Sequence, residues 1–413
     1  MLNATENALL CHTGPGTPMG ELFRRFWLPA LLPEELPAPD CPPVRHRILG
    51  EDLVAFRDTD GRIAFLREAC PHRKASLFLG RNEEGGLRCV YHGWKFDVEG
   101  NCLDLPSEPP ESNFRDKIRT TAYPGAERGG VIWIYMGPPS ASGGPPGLPQ
   151  YDWCAGEPSP HQKIWKWVQE SNYAQGLEGN IDSTHVSFLH RWFAGSGGGS
   201  RAEIADGAPR LTAQETDFGF IYGARRRAAG GQHYWRVTPF VMPSYTVIPN
   251  PNGSSGGLIL VPQDDEHTWW FTIATREADP KLPPYVTLIP STWRQERNRD
   301  NNYQIDREMQ RTVNFTGLPT NRVQDAAVTE SMGNLVDRSD EHLGTSDTAI
   351  IFMRRLLISM TQRLQQGVEP ALLTHPELFR VRPIDTITRE ADLGRLWQEH
   401  YATLLAEAAG TRP

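Results

Sequence analysis

Two short segments limit what this chain can fold into more than any other feature. Ala69–Arg73 reads ACPHR and Arg88–Asp97 reads RCVYHGWKFD, so Cys70 and His72 stand one residue apart and, sixteen residues on, Cys89 and His92 stand two apart. Thiolates are soft metal ligands and imidazoles borderline ones, a set that suits iron–sulfur or zinc. Zinc sites more often place two cysteines in one loop and two histidines in another, whereas each loop here offers one of each. Pro71 and Gly93 favour tight turns that aim backbone amides at sulfur, and Trp94 and Phe96 are placed to shield such a centre from water. Gly85–Gly86, inside the gap, fits a hairpin that returns the chain to the second loop. The plainer alternatives are a structural zinc site or four unrelated residues.

The even division suits a two-iron, two-sulfur centre in which one iron takes both thiolates and the other both imidazoles. This is the Rieske arrangement, whose neutral histidines raise its potential above that of an all-cysteine cluster. On these residues, the stretch 70–97 resembles the Rieske domain of the ring-hydroxylating non-heme iron oxygenases, with Cys70, His72, Cys89 and His92 as cluster ligands. A Rieske domain alone only carries electrons, so the function rests on the rest of the chain.

The chain has 413 residues, 38% apolar and 22% charged, enough for two domains with a sizeable core. A formal charge of −8 offers no basic surface for nucleic acid or anionic lipid. Six cysteines, at 11, 41, 70, 89, 102 and 154, are too sparse for a disulfide scaffold. The N-terminus lacks the basic region of a signal peptide, and no apolar run approaches the roughly 20 residues that span a bilayer. A cytoplasmic protein is expected. The first third is strand-rich, and Gly137–Gln150, dense in Pro and Gly, reads as a linker. The expected domains are 1–140, with cluster loops at 70–73 and 89–94, and 141–413. The second mixes strands (IWKWVQ, FGFIYGARR, YWRVTPFVM, GLILVP, TWWFTIAT) with a helical end, clearest in TAIIFMRRLLISMTQRLQQ.

A second site lies in Asn172–His190, NYAQGLEGNIDSTHVSFLH, which contains Asp182-x2-His185-x4-His190. Two imidazoles and a carboxylate on one face of a metal make the facial triad of oxygen-activating Fe(II) enzymes. On a regular helix, rings five residues apart point about 140° away from each other. The helix is therefore expected to bulge, bend or end between the histidines, and the glycines at 195–199 fit an end soon after His190. The plainer alternative is a helix with two incidental histidines. With the preceding EGNI, the pattern resembles the mononuclear iron motif of the same oxygenase family, in its phthalate 4,5-dioxygenase-like and phenoxybenzoate dioxygenase-like branch. The resemblance makes His185 and His190 iron ligands and Asp182 a bridge. It would hydrogen-bond one iron histidine and a cluster histidine of a neighbouring subunit, the position matched here by His92. Such a bridge implies a head-to-tail ring, a homotrimer or stacked hexamer. For the third ligand, the family's Gln–Asp pair matches Gln324–Asp325 in TNRVQDAAVTESMG, which makes it Asp325. On chemistry alone Asp306, Glu330 and Asp337 compete, and the plainer role for Asp325 is a helix cap or first-turn acid.

The resemblance extends over nearly the whole chain, including residues 301–356. It implies an α+β protein: an all-β Rieske domain followed by a helix-grip catalytic domain of antiparallel sheet and helices. No G-x-G-x-x-G marks a dinucleotide site, so electrons are expected from NADH through a separate flavin and ferredoxin-type reductase. The function implied is the terminal oxygenase (alpha) subunit of an aromatic ring-hydroxylating dioxygenase, an oxidoreductase of aromatic catabolism. It would use dioxygen to dihydroxylate a phthalate-like or phenoxybenzoate-like aromatic carboxylate. Monooxygenation or O-demethylation of a methoxylated aromatic acid is the alternative on the same iron chemistry. A pure Rieske electron carrier would not need Asp182, His185 and His190. An aromatic acid calls for arginine. Arg225, Arg226 and Arg227 share one predicted strand, with alternate ones facing opposite sides. Arg225, Arg227 and, on the next strand, Arg236 are the candidates.

Overall fold

The computed structural model describes residues 2–140, 143–154, 162–193, 206–249, 256–275 and 286–408; the glycine tract after His190 lies outside them. Short apolar runs bounded by turns make the first third a β structure. β1 (Trp27–Leu31), β2 (Val44–Ile48), β3 (Glu51–Arg57) and β4 (Ile63–Arg67) come first. Four short strands follow, β5 (Arg81–Glu83), β6 (Gly86–Arg88), β7 (Lys95–Phe96) and β8 (Cys102–Asp104), then β9 (Ala122–Arg128) and β10 (Val131–Tyr135). One sheet runs β1-β10-β9-β4-β3-β2, and β5 to β8 form a second. Alternation along β3 and β4 separates two cores. Leu53, Ala55, Ile63 and Phe65 join the main core, whereas Val54, Phe56, Ala64 and Leu66 face a small core holding Leu87, Trp94, Phe96, Cys70 and Cys89. The same apolar packing that holds the small sheet thus surrounds the paired cysteines. The hairpin foreseen in the gap is β5–β6, turning at Glu84–Gly85 with both φ angles positive, the geometry that matches strand twist.

Beyond Tyr135 the chain enters another sheet. β11 (Gln162–Gln169), β12 (Arg210–Thr216), β13 (Gly219–Arg227), β14 (His233–Val241), β15 (Tyr245–Thr246), β16 (Gly256–Pro262), β17 (Thr268–Thr275) and β18 (Ile384–Thr388) are its strands. They run β11-β17-β16-β15-β14-β13-β12, with β18 paired to β14. The helices are α1 (Ala4–Cys11), α2 (Pro18–Arg24), α3 (Tyr173–Ile181), α4 (Arg307–Thr312), α5 (Asn321–Ser331), α6 (Thr348–Gln365) and α7 (Leu393–Ala408). In α6, Ala349, Ile350, Met353, Leu356, Leu357 and Leu364 are buried at helical spacing, and the helix packs on α2, β12 and β13. α3 lies close to β16 and β17 because residue 176 is glycine. A Cβ there would stand 2.5 Å from Leu260 Cδ2 and 2.6 Å from Trp270. The chain has the α+β class read from its sequence, an all-β first part and an antiparallel sheet gripped by helices.

The two parts meet where β2 approaches the β16–β17 hairpin. Leu49 N and Gly50 N donate to Pro262 O and Gln263 O, each at 2.9 Å. Trp269 Nε1 donates to Arg47 O at 2.7 Å, and His46 stacks on Trp269 with ring centres 5.2 Å apart. Buried Lys166 donates to Glu35 Oε1 at 2.7 Å and lies over the Trp269 ring. Such a buried pair adds little net stability but is costly to break.

Candidate metal centres

Both cysteine loops are built alike. Cys70 O accepts from Lys74 N at 2.9 Å, and Cys89 O accepts from Gly93 N at 3.0 Å. The residue four places after each cysteine has a positive φ. At Gly93 a Cβ would stand 2.4 Å from Pro106 Cγ, so only glycine lets the chain at Pro106 close over the turn. The turns bury Cys70 and Cys89, 1% and 2% exposed, as free thiols. Burial pushes Cys70 up to about 11, and the neighbouring Cys89 adds to the rise. The rings of His72 and His92 meet with centres 4.4 Å apart, and Trp94 stacks on His72 at 4.3 Å. His92 Nδ1 is buried with no hydrogen-bond partner. A polar atom buried in this way is costly unless something binds it. Two adjoining thiols beside an orphaned imidazole nitrogen fit an iron–sulfur cluster held by two cysteines and two histidines.

The second group is set by α3 and α5. α3 ends before either histidine, not between them as the sequence led one to expect. Asp182 takes extended backbone angles, and its Oδ1 accepts from Thr184 N at 2.7 Å and Thr184 Oγ1 at 2.6 Å. This side-chain turn competes with the helical hydrogen bonds, so His185 begins a separate short turn, His185–Ser187. α5 is capped by Thr320, whose hydroxyl accepts from Val323 N; Asp325 is thus inside the helix and is not its cap. Gln175 Nε2, from α3, donates to Thr329 O and Gly333 O, which fixes α3 against α5.

His185 Nε2 and His190 Nε2 lie 3.2 Å apart. Asp325 Oδ1 is 3.2 Å from His190 Nε2 and 3.8 Å from His185 Nε2. Three ligands at right angles about one ion, each about 2.1 Å from it, stand roughly 3.0 Å apart. The outer nitrogens are occupied: His185 Nδ1 faces Asp182 Oδ2 at 3.3 Å, and His190 Nδ1 faces Gln324 Oε1 at 2.7 Å. With each Nδ1–H donated outward, two Nε2 lone pairs and a carboxylate oxygen converge, an arrangement that a cation resolves. Burial disfavours the charge on Asp182 and Asp325. At Asp182 the hydrogen bond and charge of His185 with the two Thr184 bonds together outweigh it, and at Asp325 Arg322, His190 and His185 together do so, so both carboxyls stay below the usual range. The competing acids are engaged elsewhere. Asp306 caps α4, Asp337 caps a short turn through Ser339 N, and Glu330 accepts from Tyr303 Oη at 2.8 Å.

Residues 26–124 match the family model of the Rieske [2Fe-2S] domain, and residues 134–385 match that of the LigXa C-terminal domain like family. The chain is 41% identical to the phthalate 4,5-dioxygenase oxygenase subunit of Pseudomonas putida, over 99% of this chain and 97% of that one. The chain belongs to the Rieske non-heme iron oxygenases. It is also 37% identical to the 3-chlorobenzoate-3,4-dioxygenase oxygenase subunit of Comamonas testosteroni, over 86% of this chain and 87% of that one. The solved structure of NdmA of Pseudomonas putida CBB5 with caffeine shares the fold, with a TM-score of 0.59 and 19% identity over 89% of this chain and 98% of that one. As a Rieske oxygenase the chain is an oxidoreductase whose cofactors are a Rieske cluster and a mononuclear iron. No helix among its described residues is long and apolar enough to cross a membrane.

In this Rieske oxygenase, strand alternation sorts the arginines. The inward face of β13 carries Tyr222, Ala224 and Arg226. Arg226 donates through Nε to Asp206 O at 2.9 Å and through Nη2 to Ser183 O at 2.8 Å, beside Asp182. Arg225 instead donates to Ala391 O and lies over Trp235, while Arg227 is exposed. The structure therefore does not bring Arg225 or Arg227 to the iron side, because their parity on the strand is opposite to that of Arg226. Arg236 pairs in register with Ala224, so it shares the inward face. It is buried there, donating to Pro249 O at 3.2 Å. Sequence reading also missed the contacts of Gln324 and Arg322 and the third buried thiol of the small core, Cys102. Polar partners of this kind carry no periodic signal.

Proposed function

We propose that this oxygenase subunit dihydroxylates the ring of a phthalate-like aromatic carboxylate. Cys70, His72, Cys89 and His92 hold the cluster; His185, His190 and Asp325 hold the iron. The observation that carries the reading is the convergence of two imidazole nitrogens and one carboxylate oxygen, all within 4.8 Å of one another. Held by these residues, the cluster would supply one-electron transfer and the iron a binding position for dioxygen. The chain's own residues orient the imidazoles, through Asp182 and Gln324, and exclude water from the thiols. Arg236 is the cation for a substrate carboxylate, supported by its burial on the inward face beside Tyr222 and by the acids named for the relatives. The domains run from 1 to 140 and from 141 to 413, and the protein is cytoplasmic, in keeping with six cysteines that form no disulfide.

Oxygenase subunits of this family work with reductases and oligomerise. The partner is an NADH-dependent flavin and ferredoxin-type reductase, and the assembly is a head-to-tail trimer or a stacked hexamer. What supports the ring is the separation of the two sites within one chain. Among the described residues, no hydrogen bond, ion pair or ring contact joins loops 70–73 and 89–94 to Asp182, His185, His190 or Asp325. Val90 and Tyr91, exposed beside His92, match an apolar rim at Val328 and Met332 of a recess of about 240 Å³ that holds Asp182, His185 and Asp325. Iron analysis tests the site assignment. The wild type should hold three irons per chain and His185→Ala two, with the cluster spectrum kept and turnover lost. Surviving turnover in His185→Ala sinks it. Oxygen uptake on phthalates, benzoates, phenoxybenzoates and methoxybenzoates, with reductase and NADH, tests the substrate. Uptake on methoxybenzoates alone would favour O-demethylation instead.

A further inference from the structure

Asp325 offers two oxygens, and the chain treats them differently. Oδ1 faces the histidines, 3.2 Å from His190 Nε2. Oδ2 accepts from Arg322 Nη2 at 2.5 Å. Arg322 lies one helical turn earlier in α5, with its side chain 11% exposed. Its guanidinium sits 5.7 Å over the Trp270 ring, so an aromatic face and a carboxylate hold the cation together. A short, charge-assisted contact in so sheltered a place keeps Oδ2 turned away from the imidazoles.

We propose that Arg322 is a positioning residue that confines Asp325 to a single coordinating oxygen. The proposal rests on the reading of His185, His190 and Asp325 as iron ligands. A carboxylate free to turn can offer a metal either one oxygen or two. Held through Oδ2, Asp325 offers Oδ1 alone, and the three protein ligands fill three positions. A second carboxylate oxygen would occupy a position otherwise open to dioxygen or water. Arg322 acts on the site through Asp325.

The test loads cobalt(II) into the mononuclear site of the holoenzyme and reads the cobalt K-edge X-ray absorption, to which the cluster irons do not contribute. Wild type, Arg322→Gln, Arg322→Lys and Asp325→Ala are compared, with the cluster's visible spectrum reporting that each is folded. Wild type should show one carboxylate oxygen on cobalt. Arg322→Gln should gain one oxygen neighbour, with the carboxylate carbon drawn inward, and Arg322→Lys, which restores a cation, should return towards wild type. Two carboxylate oxygens in the wild type overturn the proposal, as does an Arg322→Gln spectrum identical to it. If Asp325→Ala binds cobalt as tightly as wild type and with the same spectrum, the ligand reading itself fails. If only the Arg322 comparisons fail, the ligands stand.

Discussion

Each histidine of the iron site is oriented by a group on its outer nitrogen, and the two groups differ in charge. His185 has the Asp182 carboxylate; His190 has the neutral Gln324 amide, whose own Nε2 donates to Leu318 O at 3.0 Å. Removing such an outer partner costs about 10–100-fold in metal affinity. Gln324→Leu should therefore weaken mononuclear iron binding by that order, with cluster content unchanged, in an Fe(II) titration of iron-depleted protein. Gln324→Glu, which keeps an acceptor, should bind far more nearly like wild type. Equal affinity for Gln324→Leu and wild type would remove the contact from the account. The side chains proposed to bind iron were legible in the sequence because only a few atom types suit iron. Gln324 was visible merely as the neighbour of Asp325, since a neutral amide looks the same whether it orients a ligand or faces water.

At the scale of elements, α3 is anchored one turn before Asp182. Glu178 Oε1 accepts from Arg338 Nε and Arg354 Nε at 2.8 Å each, and Arg354 pairs in turn with Glu341 at 2.6 Å. Glu178→Ala leaves two sheltered arginines poorly compensated and should destabilise the protein by roughly 3–5 kcal/mol, measured by urea unfolding; a loss under 1 kcal/mol would contradict the anchor. β2 carries a second prediction. His46 is buried against Trp269 with neither ring nitrogen hydrogen-bonded. Burial first, and Lys166 next, hold it well below 6.5. Because the folded value is the lower one, the unfolded chain binds the proton first as pH falls. Stability from neutral His46 is present above 6.5 and is lost below it. Between pH 7.5 and 5.5 that loss approaches about 1.3 kcal/mol. Across this range His46→Phe should gain that amount on wild type in unfolding free energy, and a pH-independent difference would refute the assignment. The strands were legible from apolar runs and turn residues. The end of α3 was misplaced, because the Asp182 side-chain turn ends the helix by a local hydrogen bond that periodicity does not register.

For the whole molecule, a head-to-tail ring makes a prediction that no single chain can meet. Cys89→Ser and His185→Ala should each be inactive alone. Refolded or co-expressed as mixed rings in equal amounts, they should recover about a quarter of wild-type activity per chain, the chance that an intact cluster meets an intact iron site. No recovery in verified mixed rings would place the electron path within one chain. The sequence by itself determined the ligand chemistry of both centres, the β character of the first part and the mixed character of the second. Each follows from residue types at short spacing. Only the tertiary structure decided which arginines face inward and what holds each ligand's outer atom, and only packing brings the Asp325 read from the sequence to the histidines. Asp325 meets His190 across 135 residues of chain, and strand parity at Arg226 depends on where β13 begins. Short spacing specifies local geometry and chemistry, whereas convergence of distant side chains is a property of packing, which no segment carries alone.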